Sequence, residues 1–236
     1  MYKYIKRFLD FIMALILIIL LFIPMGIISL LIKLEDKGSS IFRQVRTGKD
    51  GKEFELLKFR SMKINNDVRD FSKKDEYTKI GKIIRKTSLD ELPQLFNILK
   101  GDMSFIGPRP WIPEYYENMT EEQRHKYDVR PGLTGLAQAS GRNGISIFDK
   151  INYDLEYVEK YSLKEDIYVI LKTIYTVLKK EDVDIGKQGI KSELDMLKEN
   201  CKKNKYQVET EKEEEIEDTF EEEVEVNDLE EQLVGA

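Results

Sequence analysis

Twenty-two consecutive residues without a charge, Phe11 to Ile32, constrain this chain more than any other stretch. Such a run is long enough for a transmembrane helix. It is too long for the apolar core of a secretory signal, and no A-x-A-like cleavage site follows it. Pro24 interrupts it. Proline removes one helical hydrogen bond and clashes with the preceding turn, so a kink or break is expected there. The arms on either side would be about 20 Å and about 12 Å long at 1.5 Å per residue, each short of a ~30 Å hydrocarbon core. Lys3, Lys6 and Arg7 precede the run, and Lys33, Lys37, Arg43 and Arg46 follow it. Positive charge on both flanks is the pattern of a segment with both ends in the cytoplasm. It favours a re-entrant hairpin broken at Pro24; a kinked helix that crosses the bilayer is the alternative.

Charge divides the remainder. Of 38 Lys/Arg and 44 Asp/Glu in the 236 residues, Gln207–Ala236 takes 14 acids and one base, Lys212, which leaves 37 basic against 30 acidic residues in front of it. A basic body suits anionic partners such as nucleotides, phosphates or lipid headgroups, and the acidic end reads as a solvated tail. Cys201 is the single cysteine and His125 the single histidine. No intrachain disulfide or cysteine-rich metal site can form, which fits a reduced, cytoplasmic setting. His125, amid charged residues, reads as a surface group rather than a catalytic base.

Arg85–Pro110, RKTSLDELPQLFNILKGDMSFIGPRP, sets adjacent carboxylates, Asp90 and Glu91, at the start of a helix whose Leu92, Leu95, Phe96 and Leu99 share one face. Pro93 fits the first turn, where its missing N–H costs nothing, and Lys100-Gly101 is a stop. The helix dipole and nearby cations are expected to keep both acids ionised. Ser88-Leu-Asp-Glu91 also fits a capping box, so these residues can be read as a helix cap or as a catalytic pair.

Elsewhere, Ile41–Arg46 and Glu53–Phe59 flank Asp50-Gly51 and predict a hairpin. It ends at Lys58-Phe-Arg60, two cations that suit either phosphate or a solvated edge. Asn65–Tyr77 is polar and reads as a loop; Thr78–Lys86 reads as a short helix or turn. Thr120–Gln123 and Ser162–Glu165 are capping boxes. The glycines from Gly132 to Gly144 are read either as backbone N–H groups gathered with Arg142 around a ligand or as a structural loop. Tyr153–Lys180 is mostly helical, and its face of Ile167, Ile170, Leu171, Ile174, Val177 and Leu178 suits a core or a bilayer surface.

From about Tyr4 to Leu178 the chain resembles the bacterial sugar transferases, the monotopic polyprenyl-phosphate phosphoglycosyl transferases, in their small diacetylbacillosamine-phosphate transferase type. The resemblance is carried by Lys6-Arg-Phe-Leu-Asp10, Ile41-Phe-Arg-Gln44 with Arg46 and Gly48, Lys58-Phe-Arg-Ser-Met62 and Ser88-Leu-Asp-Glu-Leu-Pro-Gln94. It continues in Leu99–Ser104, Gly107-Pro-Arg-Pro110, Arg130–Gly135 and Gly141-Arg-Asn143. It implies transfer of a sugar-1-phosphate from a UDP-sugar to undecaprenyl phosphate with release of UMP, the first membrane step of capsule, O-antigen or N-glycan assembly. By resemblance Asp90 is the nucleophile of a phosphosugar-aspartyl intermediate and Glu91, beside Asp90, holds Mg²⁺. Lys58 and Arg85 are phosphate-binding groups, Arg109 a nucleotide contact, and Arg142, Asp154 and Asp166 further polar members of the site. Departures are Ile23-Pro24 where Ser-Pro is common, Leu136 for an aromatic and Ser140 for Asn.

The expectation is an α+β, mainly helical enzyme on the cytoplasmic face of the inner membrane. Residues 1–37 form the anchor, 38–185 the catalytic domain with amphipathic interfacial helices, 186–206 a linker or helix, and 207–236 a disordered acidic tail. Expected partners are the UDP-sugar, undecaprenyl phosphate and membrane lipid, with later pathway enzymes at the tail and no nucleic acid. Two alternatives stand beside it: one-step transfer without a covalent intermediate, and a non-catalytic membrane scaffold.

Overall fold

The computed structural model describes residues 1–63, 77–141, 145–179 and 191–204. Helix α1 runs unbroken from Tyr2 to Glu35, so the break expected at Pro24 is absent. At 1.5 Å per residue it is about 51 Å long. The reason lies in its packing. Lys6, Asp10, Ala14, Met25 and Ile32 are buried, with Leu17, Ile18, Leu21 and Ile28 half-covered. These positions recur every three or four residues on both sides of Pro24, so one stripe stays against the domain along the whole helix. Contacts on both sides of the proline keep the helix continuous across the lost hydrogen bond.

Strands β1 (Ile41–Thr47) and β2 (Glu53–Phe59) pair antiparallel in the register Ile41↔Phe59 to Thr47↔Glu53. Asp50 and Gly51, at φ of 57° and 73°, make the turn with left-handed backbone at both central residues, and Lys52 N–H donates to the Lys49 carbonyl at 3.2 Å. Leu56 and Phe54 of β2 pack with Ala14 of α1 and with Leu95 and Ile98 of α3 (Gln94–Lys100). On the edge of β2, Asn97 accepts from Leu57 N–H at 3.0 Å and donates to the Glu55 carbonyl at 2.7 Å. One buried amide thus stands in for a missing strand and fixes β2 against α3.

Helix α2 (Lys79–Lys86) is capped from two directions. Thr78 accepts from Gly81 N–H, and Glu35 of α1 accepts from the Lys79 and Ile80 N–H groups. A Cβ on Gly81 would lie 1.9 Å from the Ser61 carbonyl oxygen. Helix propensity alone favours alanine over glycine by about 1 kcal/mol. Gly81→Ala is nevertheless expected to destabilise by about 1–3 kcal/mol, an overpacking cost that a thermal melt reads directly.

Strands β3 (Ser104–Ile106) and β4 (Gly132–Thr134) form a short parallel pair. Gly107, Gly132 and Gly135 meet backbone to backbone, where a Cβ would come within 2.1–2.3 Å of main-chain atoms. The glycine-rich run therefore makes β4 and helix α6 (Leu136–Gly141), and these glycines serve close strand packing. Helix α4 (Pro113–Glu117) follows β3; α5 (Glu121–Arg124) opens on the expected capping box, with both of its hydrogen bonds formed at Thr120 and Gln123.

Helices α7 (Ile147–Glu159) and α8 (Leu163–Leu178) complete the layer behind β3. The face of α8 formed by Ile167, Ile170, Leu171, Ile174, Val177 and Leu178 points outward, while Asp166, Val169 and Thr176 point inward. An exposed apolar stripe of that size, like the outer face of α1 from Phe8 to Leu34, marks an interaction surface. The 186–206 stretch contains a last helix, α9 (191–204), whose Leu197 is wholly buried in the Trp111–Tyr115–Ile151 cluster. The loop expected at Asn65–Tyr77 lies outside the described residues except Tyr77, which forms a bridge with Met62. The acidic tail from Gln207 lies wholly outside them.

Candidate active site

Asp90 and Glu91 sit in a single 3-10 turn, Leu89–Glu91, between α2 and α3. Pro93 precedes α3 at its N-cap position rather than lying in its first turn. Ser88 is left-handed, at φ 56°, and makes no side-chain cap. The capping box read from Ser88-Leu-Asp-Glu91 is therefore not formed; Glu91 reaches back to Lys58 of β2 instead, at 2.8 Å. Lys58 arrives there because Asn97 holds the same strand edge against α3.

The two carboxylates differ. Burial pushes the Asp90 carboxyl above its ordinary value, with Glu91 adding to the rise and Lys58 and Arg85 opposing it. Burial also pushes Glu91 upward, but Lys58, Arg109 and Arg85 outweigh it and hold Glu91 below the usual range. The two acids thus differ in what dominates: desolvation at Asp90 and cations at Glu91. Lys58 is itself lowered by burial, against the pull of Glu91.

Arg109 is exposed at the mouth of a cleft also lined by Arg46, Leu56, Lys58, Glu91 and Gln94, with Gly132 and Leu133 from β4. The Pro108-Arg109-Pro110 element is pinned on both sides. Gly132 N–H donates to the Pro108 carbonyl at 2.9 Å, and Thr47 N–H donates to that of Trp111 at 2.8 Å. Arg85 lies over the Tyr77 ring, 5.0 Å from its centroid. Five residues named from sequence, Lys58, Arg85, Asp90, Glu91 and Arg109, thus gather in one electrostatic neighbourhood. Such a group of cations around paired acids suits an oxyanion-rich ligand such as a diphosphate.

Asp154 and Asp166 do not line the cleft. Asp154 pairs with Lys126 at 2.7 Å, both wholly buried, with the ammonium 3.4 Å from the centroid of Trp111. Asp166 accepts from Tyr2 and Lys6 of α1 and, at 2.6 Å, from Tyr157, so it clamps α8 to the start of α1. Arg142 lies outside the described residues. His125 is exposed and meets Asp128 at 3.0 Å, as a surface group. Sequence reasoning gave no site role to Arg46, Gln94 or Asn97; the signal available was Gln94 and Asn97 buried beside Leu95 and Ile98 of α3, whereas Arg46 shares its face of β1 with Gln44 and Phe42.

Among the described residues no group of three or more His, Cys, Asp or Glu gathers as a metal centre. Asp90 and Glu91 provide two adjacent carboxylates, a donor set that fits Mg²⁺ bound jointly with substrate phosphates.

A family model described as bacterial sugar transferase matches residues 1–180. A UDP-galactose-lipid carrier transferase of Erwinia amylovora is 39% identical over 198 residues, 76% of this chain and 41% of the relative. A UDP-glucose:undecaprenyl-phosphate glucose-1-phosphate transferase of Caulobacter vibrioides is 40% identical over 186 residues, 73% and 69% of the two chains. An uncharacterized sugar transferase of Bacillus subtilis, EpsL, is 45% identical over 149 residues, 62% and 74%. The chain spans about two fifths of the length of several of its curated relatives and about seven tenths of others. With 180 of its 236 residues matched, the chain belongs to the bacterial sugar transferase family.

Proposed function

We propose that this chain transfers a sugar-1-phosphate from a UDP-sugar to undecaprenyl phosphate, releasing UMP, through a phosphosugar intermediate on Asp90. It does so as the first membrane step of glycoconjugate assembly. The observation that carries the reading is the buried Asp90 beside Glu91, with Lys58, Arg85 and Arg109 acting on the pair. The relatives' names, which specify lipid carriers and UDP-galactose or UDP-glucose, support the same substrate classes.

In the first step a carboxylate oxygen of Asp90 attacks the sugar-bearing phosphorus. The bond from that phosphorus to the bridging oxygen breaks, and UMP leaves with the electron pair. In the second an oxygen of the lipid phosphate attacks the same phosphorus, and Asp90 departs as a carboxylate. Splitting one displacement in two needs no general base, because the nucleophile is already anionic. Lys58, Arg85 and Arg109 offset the repulsion between that anion and the diphosphate. Glu91, with Asp90, would hold magnesium, which when bound neutralises phosphate oxygens.

Attachment is to one face of the membrane, the cytoplasmic one. Both ends of α1 dock on the same domain: Arg7 donates to the Ile98 and Leu99 carbonyls at 2.6 and 2.8 Å, and Ser29 bonds Ser40 at 2.6 Å. The exposed faces of α1 and α8 then lie in lipid. Single cysteines near Tyr4 and Gly38, in a Cys201→Ser background, are expected to label from the cytoplasmic side alone; labelling from opposite sides means a true span.

The transfer itself is tested by UMP release from a panel of UDP-sugars with Mg²⁺ and polyprenyl phosphate. Mass spectrometry is expected to find a phosphosugar adduct on Asp90 when lipid is withheld. Turnover without any such adduct points to one-step transfer, and no UMP from any donor removes the reading.

A further inference from the structure

Arg46 of β1 lines the cleft with no carboxylate within ion-pair distance among the described residues; Glu114 acts on it only from farther off. Its terminal nitrogens donate to the Pro110 carbonyl at 3.3 Å and to Gln44 Oε1 at 2.7 Å. Its Nε is buried without a partner. A guanidinium has five N–H donors, so most of its capacity stands unused. Burial, and then the nearby charge of Arg109, pull its pKa down to about 10, so it is still a cation at neutral pH.

The hairpin register locates it. Arg46 faces Phe54 and Lys58 faces Phe42, so both cations project from the same face of the hairpin, with Leu56 between them. Four residues of strand separate the two backbone positions, about 14 Å at 3.4 Å per residue, and the two long side chains reach into one cleft from either end of it. Lys58 belongs to the end held by Glu91 next to Asp90, Arg46 to the other end with Pro110, and Arg109 acts on both. The cleft lining carries three cations, Arg46, Lys58 and Arg109, against Glu91 alone. The lining thus carries a net positive charge, the complement of phosphate oxygens.

From this placement, and resting on the transfer proposed above, we infer that Arg46 binds the phosphate of the uridine monophosphate half of the donor. The nucleotide therefore lies on the Arg46 side of the cleft, and the phosphorus that is transferred, one bridging oxygen from that phosphate, faces the Lys58–Asp90 side. Arg46 is a binding residue; it does not touch the atoms that react.

The test is inhibition of wild-type, Arg46→Gln and Arg46→Lys protein, full length and in lipid nanodiscs, by UMP and by uridine as the uncharged control. Arg46→Gln is expected to weaken UMP inhibition about tenfold or more, the scale of a lost charged hydrogen bond. Uridine inhibition stays unchanged, and Arg46→Lys falls between. The melting midpoint without ligand is not expected to drop, because no buried carboxylate loses its partner. UMP inhibition within about twofold of wild type in both variants overturns the inference while leaving the transfer intact. Equal weakening of UMP and uridine with a lower melting midpoint also overturns it, and makes Arg46 a structural residue. A wild-type protein that neither releases UMP nor is inhibited by it removes the transfer reading and this inference together.

Discussion

Asp90→Asn is expected to lower phosphosugar transfer by about 10⁴-fold or more, the scale of losing a covalent nucleophile, while raising the protein's thermal midpoint at neutral pH. Both effects come from the same burial. The folded-state pKa of Asp90 is raised, chiefly by desolvation. The native state is therefore most stable with this carboxyl protonated, below the ordinary carboxylate range, and that stability is lost as pH rises through the folded value. At neutral pH the ionised side chain costs stability, and the isosteric amide removes the cost. The gain in midpoint should shrink as the melt is repeated at lower pH. Glu91 has the opposite sign, being held low by Lys58, Arg109 and Arg85 against burial. Glu91→Gln should therefore lower the midpoint at neutral pH, and the loss should fade as pH falls through the depressed value. A set of melts from pH 7 downward on both variants reads the two signs. Equal behaviour would mean that the acids share one environment. A strained functional group carried at the expense of stability is a known trade-off.

The second large effect is on folding. Lys126 and Asp154 are 0% and 1% exposed and lie 2.7 Å apart. Asp154→Leu or Lys126→Met leaves one charge buried without its counterpart, which costs about 3–5 kcal/mol. For a domain of this size that is a midpoint lower by on the order of 10 °C. The double replacement should recover most of the loss, since well-packed apolar side chains often serve as well as a buried pair. Trp111 is the chain's single tryptophan and has the Lys126 ammonium over its ring, so its emission reports the removal of the cation. Arg109 interacts with both members of the pair. A smaller loss of activity than of stability is therefore the expected profile of Asp154, a residue that supports the cleft from behind.

Much of the site was legible in the sequence, for reasons local to each stretch. Asp90 and Glu91 are neighbours in the chain, and Arg85 is five residues before Asp90. Lys58 and Arg109 could be placed beside them only through the motif resemblance, because Lys58 lies 33 residues from Glu91 along the chain. Asp154 and Asp166 are acids of the same type and were read as members of the site. Their partners, Lys126, Lys6 and Tyr2, come from separate elements, and no spacing within α7 or α8 announces them. Arg46 was visible as a residue of a matching stretch, but its want of a carboxylate is a property of the cleft.

The sequence by itself determined the features that depend on a few adjacent residues: the apolar helix from its uncharged run, the hairpin turn at Asp50-Gly51, and the cap at Thr120–Gln123. Only the tertiary structure decided which of several locally allowed states was adopted. Pro24 permits a break, but a buried stripe in phase on both sides keeps α1 whole. Ser88 and Glu91 permit a cap, but Lys58 takes Glu91 away from it. The apolar face of α8 permits a core helix, but the polar clamp at Asp166 turns that face outward. For Glu91 and for Asp166 the deciding contacts join groups 33 and 160 residues apart; such contacts outweigh a local preference of about 1–3 kcal/mol and exist only once the elements have packed.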